Sequence, residues 1–160
     1  MITRANLSET LQILGFSLQS PNVYQKSFGD LLGCSITVDF KAETIIYPSD
    51  LRVNEKETCN FSDNENFVVL ECITRLLDKG YRAEHIEIEK RWTLGHDVKG
   101  GRADICVYDE SGKEMLLIVE CKKSDEYYRY KKVLEADGGQ LFSYWQQEGL
   151  GGLRSISARF

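Results

Sequence analysis

The sequence predicts an α/β domain, and three observations carry that prediction. A helix-period apolar pattern fills residues 65–79, strand patterns follow at 86–92, 103–108 and 115–122, and a second helical region runs over about 125–147. Helices and strands are told apart here by whether apolar residues recur every three to four positions or every second one. The order helix, three strands, helix places helices against a sheet, the layered solution open to such a chain.

Taken from the N-terminus, residues 3–14 read as a short amphipathic helix. Leu7, Leu11 and Leu14 share one face and Gly15 ends it. Strands are expected at 24–28, 34–40 and 44–47; Ile36, Val38 and Phe40 alternate with polar neighbours, and Pro48 closes this part. A polar stretch from Asn54 to Asn60 leads to the helix at 65–79, which ends at Gly80-Tyr81. Ser62-Asp63-Asn64-Glu65 fits a capping box, in which the glutamate bonds back to the N-cap backbone. A glycine-rich turn is expected at 95–101, and a break in the last helical region near Gly138-Gly139. Residues 153–160 offer a short edge strand or a ragged domain end. There are no internal repeats or low-complexity segments.

Composition bounds the possibilities. A chain of 160 residues, 42% hydrophobic and 28% charged, can bury the core of one ordinary globular domain. No apolar run reaches the length of a membrane span, and the N-terminus lacks the apolar centre of a signal peptide. The five cysteines, at 34, 59, 72, 106 and 121, are odd in number and show no C-x-x-C spacing. They read as free thiols in a reducing cytoplasm, with a zinc site disfavoured. Neither phosphate-binding glycine motif, G-x-x-x-x-G-K-[ST] or G-x-G-x-x-G, occurs. His85 and His96 stand apart from any cluster and receive no role.

The most informative stretch is Asp104, an interval of fifteen residues, then Glu120-Cys121-Lys122. Two hydrophobic strands joined by the polar loop Asp109-Glu110-Ser111-Gly112-Lys113 carry an acid, an acid and an amine where apolar residues are expected. Strand side chains alternate between faces, so Leu116, Ile118, Glu120 and Lys122 are expected on one face and Met115, Leu117, Val119 and Cys121 on the other. In the preceding strand Asp104, Cys106 and Tyr108 share a face, opposite Ala103, Ile105 and Val107. An antiparallel hairpin closed at the loop brings Asp104 toward the Glu120 end. Two acids and a lysine so placed suit a divalent metal beside an activated water.

This spacing resembles the PD-(D/E)xK nuclease superfamily, in which an Asp and, one strand later, Glu-x-Lys form the cleavage site. The superfamily's proline before the Asp is absent, since Arg102-Ala103 stand there. Three further features strengthen the resemblance. Gln140 and Tyr144 form a Q-x-x-x-Y element after the lysine, four apart on one helix face. Glu65 opens a helix ending at Gly80-Tyr81, as a glutamate does in the nuclease domains of type I restriction enzymes. Residues 60–147 as a whole look like the N-terminal nuclease region of restriction enzymes fused to an adenine-methylating subunit.

The resemblance implies a restriction-endonuclease-like core, a central mixed sheet flanked by helices. It implies a single nuclease domain over 1–160, with helix and strands at 1–60 and the catalytic core at 61–148, read as a piece or remnant of a larger enzyme. Asp104, Glu120 and the main-chain carbonyl of Cys121 would ligate Mg²⁺, with Mn²⁺ able to substitute, because hard ions prefer oxygen ligands. Lys122 would orient a water, Glu65 would assist at the metal, and Gln140 and Tyr144 would support the lysine or the DNA. The partners implied are double-stranded DNA and methyltransferase and sequence-recognition domains or subunits, with no membrane involved. The uneven charge offers a contact for DNA: Lys122, Lys123, Arg129, Lys131 and Lys132 form a basic cluster beside the proposed site.

Plainer readings exist for each residue. Asp104 can cap a turn near Gly100-Gly101, Glu120 and Lys122 can form a buried salt bridge, and Glu65 can serve the capping box while also serving a site. Gln140 and Tyr144 can be an ordinary helix face, and Tyr127, Tyr128 and Tyr130 an amphipathic surface or a base-stacking one. The net charge of −5 opposes tight DNA binding by this chain alone, since phosphate neutralisation drives non-specific affinity. A non-enzymatic docking module and a nuclease acting on RNA or on branched or single-stranded DNA are the alternatives to a duplex endonuclease.

Overall fold

The computed structural model describes residues 2–29, 33–94, 98–122, 132 and 154–158. It opens with helix α1, Leu7–Ile13, which buries Leu7 and Leu11 and turns Ile13 to solvent. Gly15 ends it at φ +85°, a left-handed conformation that other residues adopt at a steric cost. Four antiparallel strands follow in chain order: β1 (Ser17–Ser20), β2 (Val23–Phe28), β3 (Cys34–Asp39) and β4 (Thr44–Ile46). β1 had no sequence signal because all four of its residues are exposed, so no apolar alternation marks it.

The second sheet holds the motif strands. Its order is β5 (Arg52–Val53), β6 (Ile86–Leu94), β7 (Val98–Tyr108), β8 (Met115–Cys121) and β9 (Arg154–Ala158). β6–β7 and β7–β8 pair antiparallel, while the outer pairs β5–β6 and β8–β9 are parallel, so the sheet is mixed. Of the two readings offered for 153–160, an edge strand or a ragged end, the structure shows the edge strand, β9. Gly100 and Gly101 lie inside β7 and not in a turn: cross-strand pairing with β6 extends the strand over residues that glycine leaves weakly specified. The helical region expected at 125–147 lies, but for Lys132, outside the described residues.

Helix α2, Glu65–Asp78, packs against this sheet. Phe67, Leu70, Ile73 and Leu77 join Ile86, Ile88, Ile105, Val107, Leu117, Val119 and Cys121 in one core that continues through Leu11, Ile36 and Val38 of the first sheet. Ring contacts run from Tyr24 through Phe40 and Phe61 to Phe67 at centroid distances of 5.5, 5.4 and 5.2 Å. They couple the first sheet to the turn of α2 that carries Glu65. A second cluster, Ala103, Cys106, Tyr108, Met115 and Ile118 with Trp92 against it, covers another part of the motif strands.

Two face assignments change as a result. Val107 pairs with Leu117 but Tyr108 pairs with Met115, so Leu116 is an extra residue, a bulge on β8. Leu116 is left exposed and Met115 turns into the second cluster with Ile118, against the expected alternation. Ala103 also joins that cluster instead of siding with Ile105 and Val107. The pleat is disturbed beside it: Glu89 and Asp104 fall opposite one another between the pairs Ile88–Ile105 and Lys90–Ala103, and Glu89 has φ +59°.

Candidate functional site

The β7–β8 hairpin closes as its loop chemistry requires. Asp109 N–H donates to the Glu114 carbonyl at 2.8 Å, and the Asp109 carboxylate accepts from the N–H groups of Lys113 and Glu114. Gly112 supplies the left-handed residue at φ +68°. At the other end the ladder's last pair is Ile105–Val119. Beyond it the Cys121 N–H donates to Asp104 Oδ2 at 2.5 Å, a side-chain acceptor in place of a strand carbonyl. Asp104 is thus an interior strand residue bonded across the hairpin and does not cap a turn.

Asp104 and Glu120 are each only 4% exposed. Between them sits the Lys122 ammonium. Its Nζ donates to the Cys121 carbonyl at 3.0 Å and lies 2.7 Å from Glu120 Oε1, 3.7 Å from Glu65 Oε1 and 3.9 Å from Asp104 Oδ2. The sequence-predicted oxygens from α2, β7 and β8 therefore converge on one cation. Among the described residues nothing donates a hydrogen bond to the buried Glu120 Oε2, a costly arrangement for a carboxylate without a further partner.

Glu65 reaches this set because it is not used as a cap. The expected capping box is absent: Asn64 makes no side-chain cap bond, and Asp63 Oδ1 accepts the Glu65 N–H at 2.8 Å. Asp63, one residue earlier, thus satisfies the donor locally and leaves the Glu65 carboxylate for Lys122. Asn66 fixes the start of α2 by donating to the carbonyls of Glu57 and Asn60 at 2.8 and 3.0 Å.

The charges follow from the burial. Desolvation pushes Asp104 from 3.8 up to about 8, reinforced by Glu120 and opposed by Lys122 and the Cys121 N–H. Desolvation also raises Glu120, with Lys122 working against it. Burial works against the Lys122 ammonium, but Asp104 and Glu120 outweigh it and hold its pKa above the usual lysine value. The site therefore demands a cation and keeps its lysine charged.

Beside Asp104 and Glu65 opens a cavity of about 210 Å³, also lined by Thr58, Glu89 and Arg102. Glu89 is a site-adjacent acid that the sequence reading missed. Thr58 donates to its Oε1 at 3.0 Å, and Arg102 Nε lies 2.9 Å from its Oε2. Burial raises its pKa while Arg102 and Thr58 oppose the rise. Its only sequence signal was an acid at alternate positions in Glu87-Ile88-Glu89, which reads equally well as a solvated strand face.

Gln140, Tyr144, Lys123, Arg129 and Lys131 lie outside the described residues; Lys132 is described and exposed. Among the described residues no three His, Cys, Asp or Glu side chains form a ready metal-chelating group. What fits a divalent ion is the donor chemistry: carboxylate and carbonyl oxygens already gathered around an ammonium, with one carboxylate oxygen unsatisfied.

Fold and site together define an α/β domain whose mixed sheet presents a buried acid–acid–lysine set. A family model for the type I restriction enzyme R protein N terminus (HSDR_N) matches residues 64–147, more than half of the chain. The chain belongs to that family, and so to restriction-enzyme-related domains. No curated protein matches it. Among the described residues no helix is long and apolar enough to cross a membrane.

Proposed function

We propose that this domain is the Mg²⁺-dependent DNA endonuclease module of a restriction–modification system, with a PD-(D/E)xK site that hydrolyses phosphodiester bonds. The observation that carries the reading is the convergence of Glu65, Asp104, Glu120 and the Cys121 carbonyl on the Lys122 ammonium. A buried salt bridge needs only one acid for its lysine; three acids from three elements are more than structure asks for. Asp104, Glu120 and the Cys121 carbonyl would hold Mg²⁺, for which Mn²⁺ can stand in. When bound, the ion supplies Lewis-acid stabilisation of charge growing on the phosphate and acidifies a water.

The chain's own groups do the rest. Lys122, charged and tethered by a flexible stem, orients the attacking water and faces the phosphate as a point charge. Glu65 accepts a hydrogen bond from that water at the helix end. Lys123, Arg129, Lys131 and Lys132 are assigned to DNA contact as a basic cluster in the sequence, and Gln140 and Tyr144 to support of the lysine or the DNA by the family resemblance. The net charge of −5 means duplex DNA is delivered by methyltransferase and sequence-recognition partners. Five free cysteines suit the cytoplasm where such systems act.

The test is Mn²⁺ calorimetry on wild type and Asp104→Ala, followed by duplex cleavage with the partner subunits present. Binding lost in Asp104→Ala, and cleavage abolished in Asp104→Ala and Lys122→Ala with the fold intact, is the expected result. Cleavage retained in either variant sinks the assignment. Wild type that binds no metal, with or without DNA, favours the second reading, a docking module; the seating of the Lys122 ammonium on Glu120 Oε1 and the Cys121 carbonyl is the feature that favours it.

A further inference from the structure

We infer that Lys122 is the site's resident counter-ion and competes with the divalent metal, so that metal entry requires its ammonium to leave the Glu120–Cys121–Asp104 oxygens. The inference rests on the metal reading above and adds a condition to it. The ammonium contacts every group assigned to the metal: Glu120 Oε1 at 2.7 Å and the Cys121 carbonyl at 3.0 Å, with Asp104 Oδ2 at 3.9 Å. A divalent ion at ligand distances of about 2.0–2.6 Å needs the Cys121 carbonyl that the ammonium occupies, and at Glu120 Oε2, the oxygen the ammonium leaves without a hydrogen bond, its two charges would stand close to the ammonium's own.

The exchange has a physical logic. Two carboxylates 96% buried cannot remain ionised side by side without a positive charge. Lys122 provides it in the metal-free protein, and a divalent ion provides twice the charge. The lysine stem is long enough to swing outward: its side chain keeps 18% exposure, so a path to solvent exists. Metal affinity is therefore lowered by the strength of the lysine contacts, and by linkage the metal weakens those contacts by the same factor. The released ammonium is then at hand for the water and phosphate, which gives one residue two successive positions. An empty site is held closed to stray ions until a ligand favours the exchange.

The test is Mn²⁺ calorimetry at about pH 8, where protons compete less for carboxylates, on wild type, Lys122→Gln and Lys122→Arg. Glutamine removes the charge and keeps a donor; arginine keeps the charge. Lys122→Gln should bind at least about tenfold more tightly than wild type, in line with the coupling of close charge pairs, while Lys122→Arg should stay within about threefold. In the wild type, acylation of Lys122 followed by peptide mass spectrometry should accelerate when Ca²⁺ is added, and this arm needs no variant to fold.

A gain below about threefold in Lys122→Gln, an equal gain in Lys122→Arg, or a Ca²⁺-independent labelling rate overturns the exchange while leaving a metal site intact. No Mn²⁺ binding by wild type or by either variant overturns the metal reading and the exchange together.

Discussion

Asp104→Asn should make the metal-free protein more stable at neutral to alkaline pH. The carboxyl is raised from 3.8 to about 8 in the folded state, first by burial and then by Glu120. A group raised on folding favours the protonated form. Its contribution is fully present below 3.8 and is lost as pH rises through about 8. A gap of about four units at about 1.36 kcal/mol each gives an upper bound near 5–6 kcal/mol. Glu120 is raised too and titrates together with Asp104, so the expected gain lies well inside that bound, on the order of 2–3 kcal/mol. Asparagine removes the charge and keeps an oxygen for the Cys121 N–H. For a chain of this length that gain corresponds to a rise of roughly 6–9 °C in Tm at about pH 8. The assay is thermal denaturation in EDTA across a pH series. Wild type should lose stability as pH climbs from about 5 to about 8 and the variant should lose less. Equal Tm values at the alkaline end, or parallel pH slopes, would refute the reasoning. Adding Mn²⁺ should raise the wild-type Tm by mass action and leave the variant nearly unmoved.

Two further predictions concern what positions the site. Phe67 is 1% exposed and meets Phe61 edge to face at 5.2 Å, so Phe67→Ala should cost about 3–5 kcal/mol in urea denaturation; a loss under about 1 kcal/mol would contradict its place in the core. Thr58→Val strips Glu89 of its 3.0 Å hydroxyl donor and should cost about 2 kcal/mol, the scale of a hydrogen bond to a charged group. The same change should raise the Glu89 pKa further, because that bond is one of the two influences opposing burial; an unchanged pKa by NMR titration would count against it.

Much of the site was legible because its parts obey local rules. Asp104 and Glu120 stand out as acids inside apolar strands, and the loop from Asp109 to Lys113 announces the hairpin that joins them. The Cys121 carbonyl follows from being the backbone between Glu120 and Lys122. The alternation of Ile36 and Val38, the helix period from Glu65 onward and the leucines of α1 gave those elements to within a few residues, because burial of one face imposes that period.

What the sequence could not give depends on contacts between distant segments. Whether Glu65 caps its helix or reaches the lysine turned on Asp63, which satisfies the local donor, and on where β8 ends in space. The bulge at Leu116 came from the pairing of Tyr108 with Met115, a register that no local pattern encodes. Gly100 and Gly101 joined a strand because β6 lies alongside them. Glu89 entered the site only through its left-handed backbone opposite Asp104, which rests on pairing, the Thr58 hydroxyl and Arg102. The sequence by itself determined which residues are ionisable and which elements form, since these are short-range properties of side chain and backbone. Only the tertiary structure decided that three acids share one ammonium, because that depends on burial and on distances across three elements.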